Sequence, residues 1–264
     1  MFKVELEYFK DSTIYFEQFA DRPWSCFLDS GGSDRYDIIV SDPFLTVTGY
    51  HDRTVVDGVL QYTTDEQPFD VLENLMSGFP IVESDLPFSG GAVGYFAYEL
   101  GCMNKSNHTP IKNTNIPLMM VGIYDWALVV DHQDEKAYVV SHGLDANTQH
   151  KWSSYANVAV APRTDMFEAD GGHIRATFSY SEYKKAFDKI QQYLDQGDCY
   201  QVNLSNKFET NVEGSSWTAY KSFRELNRTP FMSYLKFKDF EVLCGSPERF
   251  IQVDGNVIKT QPIK

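Results

Sequence analysis

The chain has 264 residues, 42% of them apolar and 15% aromatic. This is a globular composition, with enough material for one large core or two modest ones. Its 37 acidic residues outnumber 23 basic ones, a net charge of -14, which argues against a nucleic-acid backbone or an anionic membrane as main partner.

Strand and turn signals alternate through the first part of the chain. Asp37 to Val40 and Leu45 to Val47 are short β-branched runs bounded by Gly, Asp and Pro. Between Phe69 and Phe79, apolar residues recur at helical spacing through Val71, Leu72, Leu75 and Met76. The run from Val121 to Asp131 reads as one long strand, with Ala137 to Ser141 returning beside it after a polar turn. Residues 156–178 hold Pro162, Gly171 and Gly172 and no sustained period, as a linker would between a first region, 1–155, and a second, 179–264. The clearest helix follows. Ser179 and Glu182 suit a capping box, Tyr183, Phe187, Ile190 and Leu194 share a face, and Gly197 supplies the stop. A strand over Cys199 to Phe208, a helix over Trp217 to Asn227 and strands at Met232 to Phe237, Leu243 to Cys244 and Phe250 to Val253 complete the reading, with a turn at Asp254 to Asn256 into Val257 and Ile258. The predicted class is α+β, an antiparallel-sheet-rich sandwich with flanking helices.

The start of the chain carries charges at short intervals and no apolar h-region, and no stretch approaches the ~18 apolar residues of a membrane span. Cys26, Cys102, Cys199 and Cys244 are scattered without a CxxC pair. A cytoplasmic chain with reduced thiols is expected. The six histidines lie mostly in predicted turns with no metal-ligand spacing, and read as solvated loop residues. Gly90 to Gly94 lacks the Lys-Ser/Thr of a phosphate loop, so tight backbone packing against a sheet is the expected role of those glycines. In Gly245 to Phe250, Glu248 beside Pro247 either sits at a pocket edge as an acid or forms a surface pair with Arg249. Lys264 alone would be a frayed end; burial or a nearby cation would make it a nucleophile.

Taken together, Gly197 to Ser205, Ser246 to Phe250 and Pro262 to Lys264 resemble, in order, the signature of the chorismate-utilising enzymes. Pro23-Trp24, Leu86 to Gly94 and Val121 to Ala127 are similar to the aminodeoxychorismate synthase branch of that family. The resemblance implies an N-terminal region of the anthranilate synthase component I type, then the beginning of a chorismate-binding catalytic domain. It implies amination of chorismate by ammonia to 4-amino-4-deoxychorismate, toward para-aminobenzoate and folate. Glu248 matches the general acid and Lys264 the nucleophile. Gln201 stands in the substrate pocket where hydroxylating relatives have a water-activating lysine, and anthranilate synthases usually have alanine in place of Lys264. Anthranilate synthase component I is the alternative enzyme. A non-catalytic module that holds tryptophan and docks a glutaminase is the alternative of a different class.

The same resemblance implies a glutaminase subunit as the source of ammonia, Mg²⁺ as cofactor, and a tryptophan held by Ser30, Pro230, Phe231 and Met232. Family chains continue past the lysine into a segment carrying the Mg²⁺ ligands, so this chain is expected to be an inactive fragment with no metal site of its own. Phe237, Leu243, Phe250, Ile251 and Ile263 would then lie on strands lacking their packing partners.

Overall fold

The computed structural model describes residues 2–80, 84–102, 116–157 and 164–263. The chain forms two compact units, one of residues 1–163 with 220–264 and one of residues 164–219.

The first unit opens with β1 (Phe2–Leu6), α1 (Thr13–Phe16), β2 (Ser25–Asp29) and β3 (Tyr36–Val40). Next come β4 (Leu45–Gly49), β5 (Thr54–Gly58), β6 (Tyr62–Thr64), α2 (Pro68–Ser77) and β7 (Gly91–Phe96). β8 (Met119–Tyr124), β9 (Trp126–Asp131), β10 (Lys136–Ser141) and α3 (Ala146–Ala156) follow. The second unit contains β11 (Phe167–Ala169), β12 (Arg175–Ala176), α4 (Tyr180–Gln196), β13 (Phe208–Glu209) and β14 (Val212–Gly214). The helix α5 (Ser216–Asn227) begins in the second unit and ends in the first, which β15 (Phe231–Lys236), β16 (Glu241–Ser246), β17 (Gln252–Asp254) and β18 (Val257–Lys259) complete.

The first unit is built on two antiparallel sheets. One has seven strands in the order β1-β10-β9-β3-β2-β15-β16, the other five in the order β6-β5-β4-β8-β7. The expected single strand over Val121 to Asp131 is two strands in different sheets, broken at Asp125. The break is chemical. Asp125 is buried, and its carboxylate accepts the Leu144 and Asp145 amides at 2.9 and 3.0 Å and the Ser141 hydroxyl at 3.3 Å.

Alternation along β8 and β9 decides which face each residue meets. Met120 and Tyr124 join Ala127, Val129, Cys26, Val40 and Leu235 in a core shared by both sheets. Met119, Val121 and Ile123 face the other way and pack with Leu45, Val47 and Val71 under α2. The outer face of the seven-stranded sheet is covered by rings: Phe16 on Phe27 at 5.5 Å, Phe19 on Trp126 at 5.5 Å and Tyr155 stacked on Trp126 at 3.9 Å. The sandwich with flanking helices is therefore the observed architecture.

Glycines in and just before β7 serve close packing. A Cβ on Gly94 would lie 1.9 Å from the Met120 carbonyl oxygen, and Gly90 combines a φ of 145° with a Cβ position 3.0 Å from the Tyr124 carbonyl. Phe237 departs from expectation. It is fully buried, edge-on to Trp24 at 5.2 Å and to Tyr95 at 5.4 Å, so its packing partners are within this chain. Phe250, Ile251 and Ile263 are exposed.

In the second unit, α4 starts at the expected cap: Ser179 accepts the Glu182 amide, Glu182 returns to the Ser179 amide, and Gly197 ends the helix at φ 77°. The expected strand over Cys199 to Phe208 reduces to Phe208–Glu209, paired with β12.

Candidate functional site

Four of the residues singled out in the sequence converge. Ser30, Pro230, Phe231 and Met232 line one cavity of about 910 Å³ in the first unit. The register explains why. β15 pairs with β2 so that Met232 lies opposite Asp29, which brings the start of β15 beside the exit of β2. Leu28, Ile38, Pro87 and Phe231 give the cavity apolar walls, and Asp34, Arg35, Arg249 and Lys259 bring charge to it.

The loop that carries Ser30 is held from beneath by two buried carboxylates. Asp37 accepts the Ser30 amide and Asp29 accepts the Gly31 amide, both at 2.7 Å. Gly31, at φ 59°, would place a Cβ 2.7 Å from the Thr229 carbonyl oxygen. Only glycine permits this approach of the loop to Pro230.

Each of the two carboxylates has its own partners. Arg224 Nε donates to Asp29 Oδ2 at 2.6 Å and the Tyr220 hydroxyl donates to the same oxygen at 2.8 Å. Asp37 takes hydrogen bonds from the Ser12 hydroxyl and from His132 Nε2, the latter at 2.7 Å, while His132 Nδ1 lies 3.1 Å from the Tyr8 hydroxyl. Burial pushes the Asp37 carboxyl up, but hydrogen bonds from His132, Ser12 and Ser30 outweigh it and hold the group below its ordinary range. The hydrogen bond to Asp37 raises the His132 pKa against the opposing pull of burial.

His132 is therefore not a solvated loop residue. His142 also has a side-chain partner, the Ser89 hydroxyl at 2.9 Å from its Nε2. Sequence alone did not reveal the Asp37–His132 pair. The available signal was Asp37 itself, a charge inside a β-branched run.

Within the cavity lining, Arg249 lies over the Phe231 ring at 4.7 Å, donates to Gln252 and reaches Asp34 at 3.4 Å. It does not pair with its neighbour Glu248. The Ser246 hydroxyl brackets Glu248, accepting its amide at 3.2 Å and donating to its carbonyl at 2.9 Å. The Glu248 carboxylate accepts the Ile263 amide at 3.1 Å. Glu248 is thus tied to the segment that ends in Lys264, a residue that itself lies outside the described residues. Gln201 is an exposed residue of the second unit, away from any helix or strand.

No three His, Cys, Asp or Glu side chains among the described residues group to hold a metal ion. No helix among the described residues is long and apolar enough to cross a membrane.

Comparison with known proteins follows the same lines. The family model described as chorismate binding enzyme matches residues 24–264. Aminodeoxychorismate synthase component 1 of Escherichia coli (strain K12) is 36% identical over 260 residues, which is 95% of this chain and 56% of that protein. The protein of the same name from Bacillus subtilis (strain 168) is 29% identical over 275 residues, 96% of this chain and 57% of its own. The chain thus spans about half the length of the curated relatives it matches. The crystal structure of anthranilate synthase component I from Streptococcus pneumoniae TIGR4 superposes with a TM-score of 0.71 at 22% identity, covering 85% of this chain and 53% of that one. That likeness establishes the fold, and the sequence match over residues 24–264 establishes the family. The chain belongs to the chorismate binding enzymes.

Proposed function

We propose that the whole protein is the chorismate-aminating component of an aminodeoxychorismate synthase, forming 4-amino-4-deoxychorismate from chorismate and ammonia. The observation that carries this reading is the bond from the Ile263 amide to the Glu248 carboxylate, which sets the acid beside the segment ending in lysine. The 36% identity to a protein of that name supports it. Hydroxide is a poor leaving group, so Glu248 donates a proton as the C4 hydroxyl departs. The Lys264 amine adds to the ring in the same displacement, and ammonia then displaces the lysine, which regains its free amine. Glutamine at position 201 fits amination, since a water-activating lysine there would favour hydroxylation. A glutaminase component is the proposed source of ammonia and Mg²⁺ the proposed cofactor, with no ligand for it assigned in this chain.

The cavity lined by Ser30, Pro230, Phe231 and Met232 is proposed to hold tryptophan. Its apolar walls suit an indole, and the charged groups around them suit an amino acid's head.

The deciding experiment is mass spectrometry of the whole protein incubated with chorismate and no ammonia source. A chorismate-derived adduct is expected on the peptide carrying Lys264 and absent from Lys264→Ala. No adduct in wild type, together with full ammonia-dependent activity in Lys264→Ala, would remove the covalent route and favour an anthranilate synthase-like direct attack.

A further inference from the structure

The Asp37–His132 pair lies outside the chemistry proposed above, yet it meets the cavity at one point, the Ser30 amide. Asp37 Oδ1 accepts that amide at 2.7 Å, while Oδ2 faces His132 Nε2 at 2.7 Å and the Ser12 hydroxyl. The carboxylate is fully buried, and the His132 side chain is only 15% exposed. We propose that Asp37 and His132 are positioning residues for the cavity, holding the Ser30 loop in its ligand-ready place only while His132 is protonated.

Hydrogen bonding alone does not carry this, because the pattern survives the loss of the proton. Neutral His132 can keep its N–H on Nε2, and Nδ1 can accept from the Tyr8 hydroxyl at 3.1 Å. What disappears is the positive charge. The acidic groups acting on His132 are Asp37 from β3 and Asp29 from β2, while Asp131 from β9 and Glu135 from the turn after it act on its hydrogen-bond partner Tyr8. Arg224 from α5 is the cation on that side, and it is engaged with Asp29. Arg35 is likewise engaged, with Asp131 at 2.7 Å.

Without the imidazolium, the cation left to Asp37 is Arg224, which is shared with Asp29, and a fully buried carboxylate so placed is relieved by reaching water. The Asp37 bond to the Ser30 amide is one of the two that hold the Ser30–Gly32 loop, the other running from Asp29 to the Gly31 amide. In the closed state the Asp37 bond raises the proton affinity of His132; with the loop open and Asp37 hydrated that bond is weakened. The closed state therefore holds the proton more tightly, and rising pH shifts the population toward the open one.

The test uses the whole protein. Protection of the Ser30 and Gly31 amides against hydrogen exchange, corrected for the intrinsic pH dependence of exchange, is measured between pH 5.5 and 8.5. The His132 imidazole is titrated by NMR in the same samples. Protection should fall about ten-fold, the low end of what a hydrogen bond to a charged group is worth, with its midpoint at the His132 titration. His132→Gln, which keeps a donor toward Asp37 without the charge, should show no such fall. A pH-independent protection in wild type, or a midpoint that does not follow His132, overturns the proposal without recourse to any variant. An equal slope in a folded His132→Gln does the same.

The functional consequence rests on the tryptophan reading of the cavity and has its own arm. L-tryptophan affinity should weaken about ten-fold over the same interval. If tryptophan binds at no pH while the amides still follow His132, the ligand assignment fails and the positioning role stands.

Discussion

The Ile263 amide donates to the Glu248 carboxylate at 3.1 Å, closing a bridge across 15 residues of chain. The Pro262–Ile263 peptide is therefore tied to the proposed acid. In the whole protein, Glu248→Gln should lower chorismate turnover by ~10²–10⁴-fold, the usual worth of general acid catalysis. The amide keeps an oxygen for Ile263, so the melting temperature should stay near wild type. Steady-state kinetics with ammonia as nitrogen donor, beside a thermal melt, checks both halves, and an unchanged turnover number would end the acid assignment.

Asp125 carries the turn between the sheets. Removing its carboxylate leaves the part-buried Leu144 and Asp145 amides and the buried Ser141 hydroxyl without this acceptor. Asp125→Ala should destabilise the chain by about 3 kcal/mol, given ~1–3 kcal/mol for each buried group left unpaired and partial relaxation. Asp125→Asn, with one acceptor retained, should lose less. Urea midpoints of the two variants give the comparison, and equal losses would place the effect in packing.

Gly94→Ala offers a steric test. Its Cβ would meet the backbone of Met120 in the paired strand, which has no soft end to bend away. Overpacking of this kind costs about 1–3 kcal/mol and occasionally more, so a loss at the top of that range is expected. Gly171→Ala is the control, because nothing lies within 4 Å of its added methyl. Surface changes of that sort usually stay within about 0.5 kcal/mol. Chemical denaturation of both variants decides it.

What the sequence revealed was what short range controls. The capping box at Ser179 and Glu182, the glycine stop at Gly197 and the turn into β18 are local bargains between adjacent residues, and each stands where it was expected. The cavity residues were legible only through family resemblance, since Ser30 and Phe231 are brought together by strand pairing across some two hundred positions of chain. The failures are long-range too. Asp125 looked like one more residue of a strand because its amide partners arrive from Leu144 and Asp145. Phe237 looked exposed because Trp24 and Tyr95, its ring partners, are distant in sequence. His132 looked like a loop residue because Asp37 is on another strand.

Stability should have two pH flanks from the Asp37–His132 pair. The Asp37 pKa is lowered from 3.8, so its contribution is present above that value and is lost as pH falls through the lower folded value. The His132 pKa is raised from 6.5, so its contribution is full below that value and is lost as pH rises through the higher folded one. Unfolding free energy measured from pH 3 to 9 should therefore peak between them. His132→Gln should flatten the alkaline flank and leave a fall on the acid side; a wild-type alkaline flank retained in the variant would assign that slope to other groups.

The passage from β8 to β9 through Asp125 alone leaves no slack between the two sheets. Inserting or deleting one residue there would reverse the inside and outside of one sheet relative to the other, carrying Ala127 and Val129 out of the shared core and driving Trp126 and Leu128 into it. A change of length is tolerated better in the other connections than here. At this junction the spacing is locked by geometry, whatever chemistry the protein performs.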